Sequence, residues 1–219
     1  MPEFKVVVND PEAGEPRPVW VRVVGVESVG DVKLEFTVDH KEKKKIPVAY
    51  ANPELLKKLN TPYGYVTLRI WKDRAAGEKL NITLKVMPSE EVPPEELHVP
   101  KAMLEELLGV ERTVGEVFRS KSFQILVSGR NAEVFIGRKI GEKVLADVVG
   151  IQGKELLITG GSDLTGAPML PSVHGPVKKY VLLSGPPGFH PRKKGERRRK
   201  LVRGNTITEE IVQINTKLV

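Results

Sequence analysis

The segment Pro191 to Arg203, PRKKGERRRKLVR, most limits what this chain can become. Eight of its thirteen residues are cationic (Arg192, Lys193, Lys194, Arg197, Arg198, Arg199, Lys200 and Arg203), against the single carboxylate Glu196. Charges this dense repel one another and resist joint desolvation, so the stretch is either a solvated segment or one ordered by a polyanion. Arginine outnumbers lysine by five to three. A planar guanidinium donates paired hydrogen bonds to phosphate oxygens, which favours RNA or DNA as the polyanion. Taken alone, such a run also fits an idle charged face, an import signal or a heparin-like patch.

The distribution of charge narrows the choice. Residues 1–16 carry a net −3, residues 17–118 are neutral with sixteen charges of each sign, and residues 119–219 carry +10. A polyanion would therefore meet the last hundred residues, while the middle is electrically an ordinary domain. The absence of cysteine excludes disulfides and thiolate metal sites and suits a reducing compartment. The opening MPEFKVVVNDPEAG has only a short apolar run, and no span of about 20 apolar residues follows. A soluble, cytoplasmic protein with no membrane partner is expected. A charged content of 29% and only three glutamines, Gln124, Gln152 and Gln213, suit a heat-adapted source.

Read in order, Phe4–Val8, Val19–Val26, Leu34–Val38, Ile46–Tyr50, Tyr65–Trp71 and Leu80–Met87 carry strand patterns, with Lys41–Lys45 as a hairpin loop. Asn52 followed by Pro53 opens a short helix through Leu59. Leu97-His98-Val99-Pro100 leads into a second helix, Lys101–Leu108, with Gly109 as its stop. IPVAYANPELLKKLNTPYGYVTLRI and LHVPKAMLEELLGVERTVGEVFRSK match as strand, Pro-led helix, loop, glycine and strand. Two degenerate copies of one unit follow from this, and the shape resembles the repeated half of double-psi β-barrels. Any small α+β domain with two Leu-faced helices is the plainer alternative. Further on, Phe123–Val127, Glu133–Gly137, Lys154–Gly161, Lys178–Ser184 and Ile211–Leu218 read as strands, and SDLTGAPMLPSVHGP as a long loop. Trp20 and Trp71 fall in strand patterns and are expected in the core.

Catalytic constellations are wanting. GGSDLTG (Gly160 to Gly166) follows a strand but lacks the Gly-Lys-Ser/Thr ending that places a lysine on terminal phosphates, so its glycines are expected to serve tight backbone geometry or close approach to a ligand backbone. Ser162, Asp163 and His174 form a trio without a nucleophile elbow. The four histidines, His40, His98, His174 and His190, are too dispersed for a metal motif. No enzyme activity, cofactor, metal or small-molecule substrate is expected. The basic run has better company: Lys178 and Lys179 precede it, His174 and His190 flank it, and Gly185-Pro186-Pro187-Gly188 stiffens its approach. With only Tyr180 and Phe189 as nearby aromatics, backbone and shape readout of folded RNA is favoured over base stacking.

KELLITGGSDLTGAPMLPSVHGP, VLLSGPPGFHPRKKGERRRKLVRGNTI and EEIVQINTKLV, with FKVVVNDPEAGE and GRKIGEKV, resemble the eukaryotic-type small-subunit ribosomal protein S-six family of archaea and eukaryotes. The resemblance implies a structural, non-catalytic constituent of the small ribosomal subunit, mainly β, with a β-barrel-like core and an rRNA-binding basic segment. Its partners would be small-subunit rRNA and neighbouring ribosomal proteins. Carried onto this chain, Arg192, Lys193, Lys194, Arg197, Arg198, Arg199, Lys200 and Arg203 contact rRNA backbone. Asn205, Lys178, Lys179, His174 and Ser162 lie near it. The resemblance covers residues 1–16 and 119–219; residues 17–118 read as an inserted small α+β domain, similar to longer archaeal members. A competing reading makes the protein an adaptor that binds proteins through the neutral middle and nucleic acid only loosely.

Overall fold

A computed structural model describes residues 2–219 apart from Asp31, Glu42–Lys44 and Ala75. The chain separates into two compact units, one built from residues up to Asn9 together with Gln124–Val219, the other from Asp10–Phe123. It begins in the first unit with β1 (Glu3–Asn9), where Phe4, Val6 and Val8 alternate inward as the sequence pattern predicts. It then enters the second unit.

That unit is a closed six-stranded barrel with short helices between its strands. Its elements are β2 (Val19–Val26), the small pair β3 (Ser28–Val29) and β4 (Val32–Lys33), α1 (Val38–Lys41), β5 (Val48–Ala51), α2 (Pro53–Leu59), β6 (Tyr65–Asp73), β7 (Glu78–Pro88), β8 (Glu96–Pro100), α3 (Lys101–Leu108) and β9 (Arg112–Arg119). The strands close in the order β2-β8-β5-β7-β6-β9. The pairing is two-fold: β2 runs parallel to β8 and β7 parallel to β5, while β2–β9 and β7–β6 are antiparallel. The unit β2-β5-α2-β6 therefore repeats as β7-β8-α3-β9, and each copy lends a strand to the other. This interlocking is the one expected from the repeated strand–helix–strand pattern. Helix α2 starts as its sequence dictates, with the Asn52 side chain accepting from Glu54 N–H at 2.9 Å and Pro53 at its first turn. Gly109 ends α3 in the left-handed region at φ +69. The interior is apolar throughout, with Val23, Leu68, Leu84, Leu97, Val99, Met103, Leu104 and Val117 at 0% exposure.

Two expectations fail here. Leu34–Val38 is not a strand. Leu34 turns inward onto Val29 and Val92, and Thr37 closes onto the His40 ring, its N–H 2.9 Å and its hydroxyl 3.0 Å from Nδ1. This local side-chain closure starts the turn of α1 and outcompetes strand pairing. Of the Lys41–Lys45 loop, Lys41 ends α1 and Glu42–Lys44 lie outside the described residues. The tryptophans are not core residues either. Trp20 is 50% exposed, and both rings stand on the outer face of the barrel, because the inward positions of β2 and β6 are taken by Val21, Val23, Leu68 and Ile70.

The remaining elements return to the first unit: β10 (Ser122–Ser128), α4 (Arg130–Glu133), β11 (Lys143–Leu145), β12 (Glu155–Asp163), β13 (Lys178–Leu183), β14 (Arg198–Arg203) and β15 (Ile211–Leu218). An open sheet forms in the order β10-β1-β15-β12-β11, so the two ends of the chain, β1 and β15, pair in parallel at its centre. The expected strand Glu133–Gly137 is instead the end of α4 and a turn. Gly129, at φ +64, reverses the chain, and its carbonyl accepts from both Ala132 N–H and Glu133 N–H. Phe135 alone then reaches the core, packed edge-on against Phe4 with ring centroids 6.4 Å apart. The pair β13–β14 forms a separate antiparallel hairpin.

Candidate nucleic-acid interface

Half of the basic run is strand. Arg198–Arg203 is β14, held across from β13 in the register Lys178↔Arg203, Tyr180↔Leu201, Leu182↔Arg199 and Leu183↔Arg198. The alternation of the pleat sorts the side chains. Val202, Val181 and Leu183 turn to the hairpin's supporting cluster with Leu170 and Val173, while Tyr180 and Leu182, each 60% exposed, stand on the other face. The Arg199 guanidinium lies 5.5 Å from the Tyr180 ring centroid. The first half of the run is the tip joining the strands. There Gly195 takes φ +83, and Glu196, the run's only carboxylate, accepts from Arg192 N–H at 2.7 Å and from Arg198 Nε at 3.1 Å. Those partners hold its carboxyl below the usual range, the Arg192 N–H first among them. Arg192, Lys193, Lys194, Arg197, Arg198, Arg199 and Lys200 are all exposed. They form a cationic tip and edge carried on a defined hairpin rather than a loose arm.

The eighth cation stands apart. Arg203 is 7% exposed; its Nε is 3.0 Å from Asp163 Oδ2, and its other end pairs with Glu210. Lys178, opposite it in register, places Nζ 2.8 Å from the same Asp163 oxygen. Asp163 Oδ1 accepts from Thr165 N–H (2.9 Å), the Thr165 hydroxyl (2.7 Å) and Ala167 N–H (2.8 Å). Burial alone raises this carboxyl's pKa, but the hydrogen bonds from Lys178, Thr165, Ala167 and Arg203 outweigh it and hold the group well below the ordinary carboxylate range. One buried carboxylate therefore ties both strands at the hairpin's root to the end of β12.

The segment after Arg203 completes the anchorage. Arg203 N–H donates to Pro168 carbonyl at 2.8 Å, Gly204 N–H to Val177 at 2.8 Å and Asn205 N–H to Val173 at 2.7 Å. A Cβ on Gly204 would fall onto the Gly175 carbonyl oxygen, which makes glycine obligatory there. Asn205 accepts from Gly175 N–H at 3.1 Å, and its amide lies 3.4 Å from His174 Nδ1. His174 and Lys179 are exposed, and Ser162 is half-buried in β12. Of the two glycines of GGSD, Gly161 works within the protein, since a Cβ there would sit 2.5 Å from the Gln213 carbonyl oxygen. Sequence reasoning missed Asp163 as an anchor. The signal was its position, an acid at a strand end followed by Thr165 and Gly166, an Asx-type turn.

Fold and surface together define a mainly β protein of two units whose distinguishing chemistry is a cationic hairpin. A family model described as Ribosomal protein S6e matches residues 111–219. The small ribosomal subunit protein eS6 of Hyperthermus butylicus is 52% identical over 219 residues, covering 100% of this chain and 98% of its own. That of Staphylothermus marinus is 43% identical, covering 99% and 98%. That of Saccharolobus solfataricus is 40% identical with full coverage of both. The chain belongs to the ribosomal protein S6e family. Among solved structures, the computationally designed msDPBB_sym2 protein is similar over 48% of this chain and 100% of its own, at a TM-score of 0.30 and 15% identity.

Proposed function

We propose that the chain is a structural constituent of the small ribosomal subunit and grips rRNA backbone with the β13–β14 hairpin. The middle barrel is a domain inserted between the two segments of the rRNA-binding unit. The observation that carries the reading is the set of seven exposed cations, Arg192 to Lys200, on a hairpin whose root is fixed by a buried ion-pair knot. A fixed root lowers the ordering cost of docking, and guanidinium groups spaced along a strand and its turn match phosphates along a backbone. Lys179 and His174 extend the surface. Arg203, Lys178 and Asn205 serve as its scaffold, since their polar groups are engaged inside the fold. Neighbouring ribosomal proteins and a place on the cytoplasmic ribosome follow from the same reading.

The test is the salt dependence of binding to small-subunit rRNA. With about six phosphate contacts the affinity falls by roughly 10³-fold between 50 and 200 mM salt, and the triple change Arg197→Ala, Arg198→Ala, Arg199→Ala flattens that slope. A binding constant indifferent to salt, or a slope unchanged by the triple change, would remove the hairpin from the interface. Stoichiometric migration with small subunits through a high-salt gradient separates a constituent from an adaptor that associates loosely.

A further inference from the structure

The barrel carries its own aromatic surface. Both tryptophans of the chain stand on its outside, across adjoining strands: Trp20 on β2 is opposite Glu116 on β9, Glu116 is opposite Arg69 on β6, and Trp71 on β6 is opposite Lys79 on β7. The Arg74 guanidinium lies 5.2 Å from the Trp20 ring centroid and 5.9 Å from that of Trp71. Lys79 Nζ lies 5.6 Å from Trp71. Arg69 lies 4.7 Å from Phe118. Glu116, the carboxylate within the cluster, is 6% exposed and already neutralised by Arg69 at 3.4 Å and Arg74 at 3.9 Å. What faces solvent is the indole of Trp20, 50% exposed, the Val114 side chain at 56%, and the cations Arg22, Arg74 and Lys79. The acids Asp73 and Glu78 face each other one step nearer the turn, where Asp73 accepts from Ala76 N–H at 3.2 Å.

We propose that this outer face of the barrel is a second RNA-binding surface, taking an unpaired base on Trp20 with the adjoining phosphates on Arg22, Arg74 and Lys79. An indole left half in water forgoes the burial that usually holds tryptophan. An aromatic platform ringed by cations supplies the two contacts a single strand needs, a π face for the base and positive charge for the backbone. Arg74, its guanidinium 5.2 Å from the Trp20 ring centroid, serves both. The surface belongs wholly to the barrel and does not depend on the hairpin reading.

Because the other unit contains no tryptophan, intrinsic tryptophan fluorescence of the full chain reports on this face alone. Titration with an eight-nucleotide oligouridylate at low salt is expected to quench the emission saturably. Arg74→Ala, which keeps both fluorophores, shifts the midpoint upward by about tenfold, and Trp20→Leu weakens binding of the labelled oligonucleotide by a similar factor. Trp20 is solvent-exposed, so its replacement leaves the barrel folded, as far-ultraviolet circular dichroism checks. The triple hairpin variant retains the quench, so failure of the hairpin reading stays distinguishable. Oligonucleotide binding seen by anisotropy without quenching overturns the proposal. So does an equal quench by oligoglutamate, which would identify an acidic protein segment as the ligand.

Discussion

The two units differ in how much of their support comes from apolar packing and how much from buried charge. The barrel keeps an apolar core, and its buried charges lie outside that core in local pairs, Glu116 with Arg69 and Arg74, and Asp10 with Arg119 at 2.6 Å. The open-sheet unit buries Asp163 and Arg203, at 5% and 7% exposure, and leaves seven cations of the same hairpin in water. A two-stranded hairpin is marginal by itself, and the β13–β14 pair has only a small apolar cluster beneath it. An ion-pair knot adds direction where apolar area is scarce. The barrel closes six strands on themselves around a far larger apolar cluster. Buried charge thus fixes the pose of a binding element, and a closed apolar core holds the barrel.

Asp163→Ala is the sharpest way to break this contrast. It strands the buried Arg203 and releases Lys178, at an expected cost of about 3–5 kcal/mol. Amide exchange should show the loss in β12–β15, while tryptophan emission, which reports the barrel, keeps its unfolding midpoint. The reciprocal change, Leu84→Ala in the barrel core, should cost about 2–5 kcal/mol through the cavity it opens. It should move the emission midpoint and leave exchange in the hairpin unaltered. Acid gives a smaller, graded version of the first effect. The Asp163 pKa is depressed in the folded state, so its contribution is full above the unfolded value of about 3.9 and is lost as pH falls toward the folded one. Stability of the open-sheet unit measured by denaturant titration should drop below about pH 4, and Asp163→Asn should lessen that dependence. Smallest of all, the triple change at Arg197, Arg198 and Arg199 should alter stability by no more than about 0.5 kcal/mol, since these exposed cations do little for the fold.

Much of the fold was legible in the sequence. Alternation located β1, β2, β6, β7 and β15, and Asn52-Pro53 and Gly109 marked helix ends. The repeated motif pointed to the interlocked barrel, beside the plainer reading of a small α+β domain. The failures share a cause. At Leu34–Val38 and Glu133–Gly137, short apolar alternation was overridden by local closure, through the Thr37–His40 contact and the Gly129 turn. Periodicity over five residues cannot weigh that competition. The basic run's second half was legible as charge but not as strand, because repulsion among its cations conceals the pairing with β13.

The sequence by itself determined the partition of charge: a neutral middle, a basic final stretch, and a run at Pro191–Arg203 too charged to bury as a whole. Composition and local pattern suffice for that, because solvation of charge is a property of each side chain. Only the tertiary structure decided which cations are free. Arg203 is chemically equal to Arg199 in the sequence, yet Asp163, forty positions away, takes it into the interior. Likewise Trp20 and Trp71 read as core until the barrel's closure assigned the inward positions to Val21, Val23, Leu68 and Ile70. Which neighbour a side chain meets depends on long-range pairing and register, and these are fixed by the whole chain.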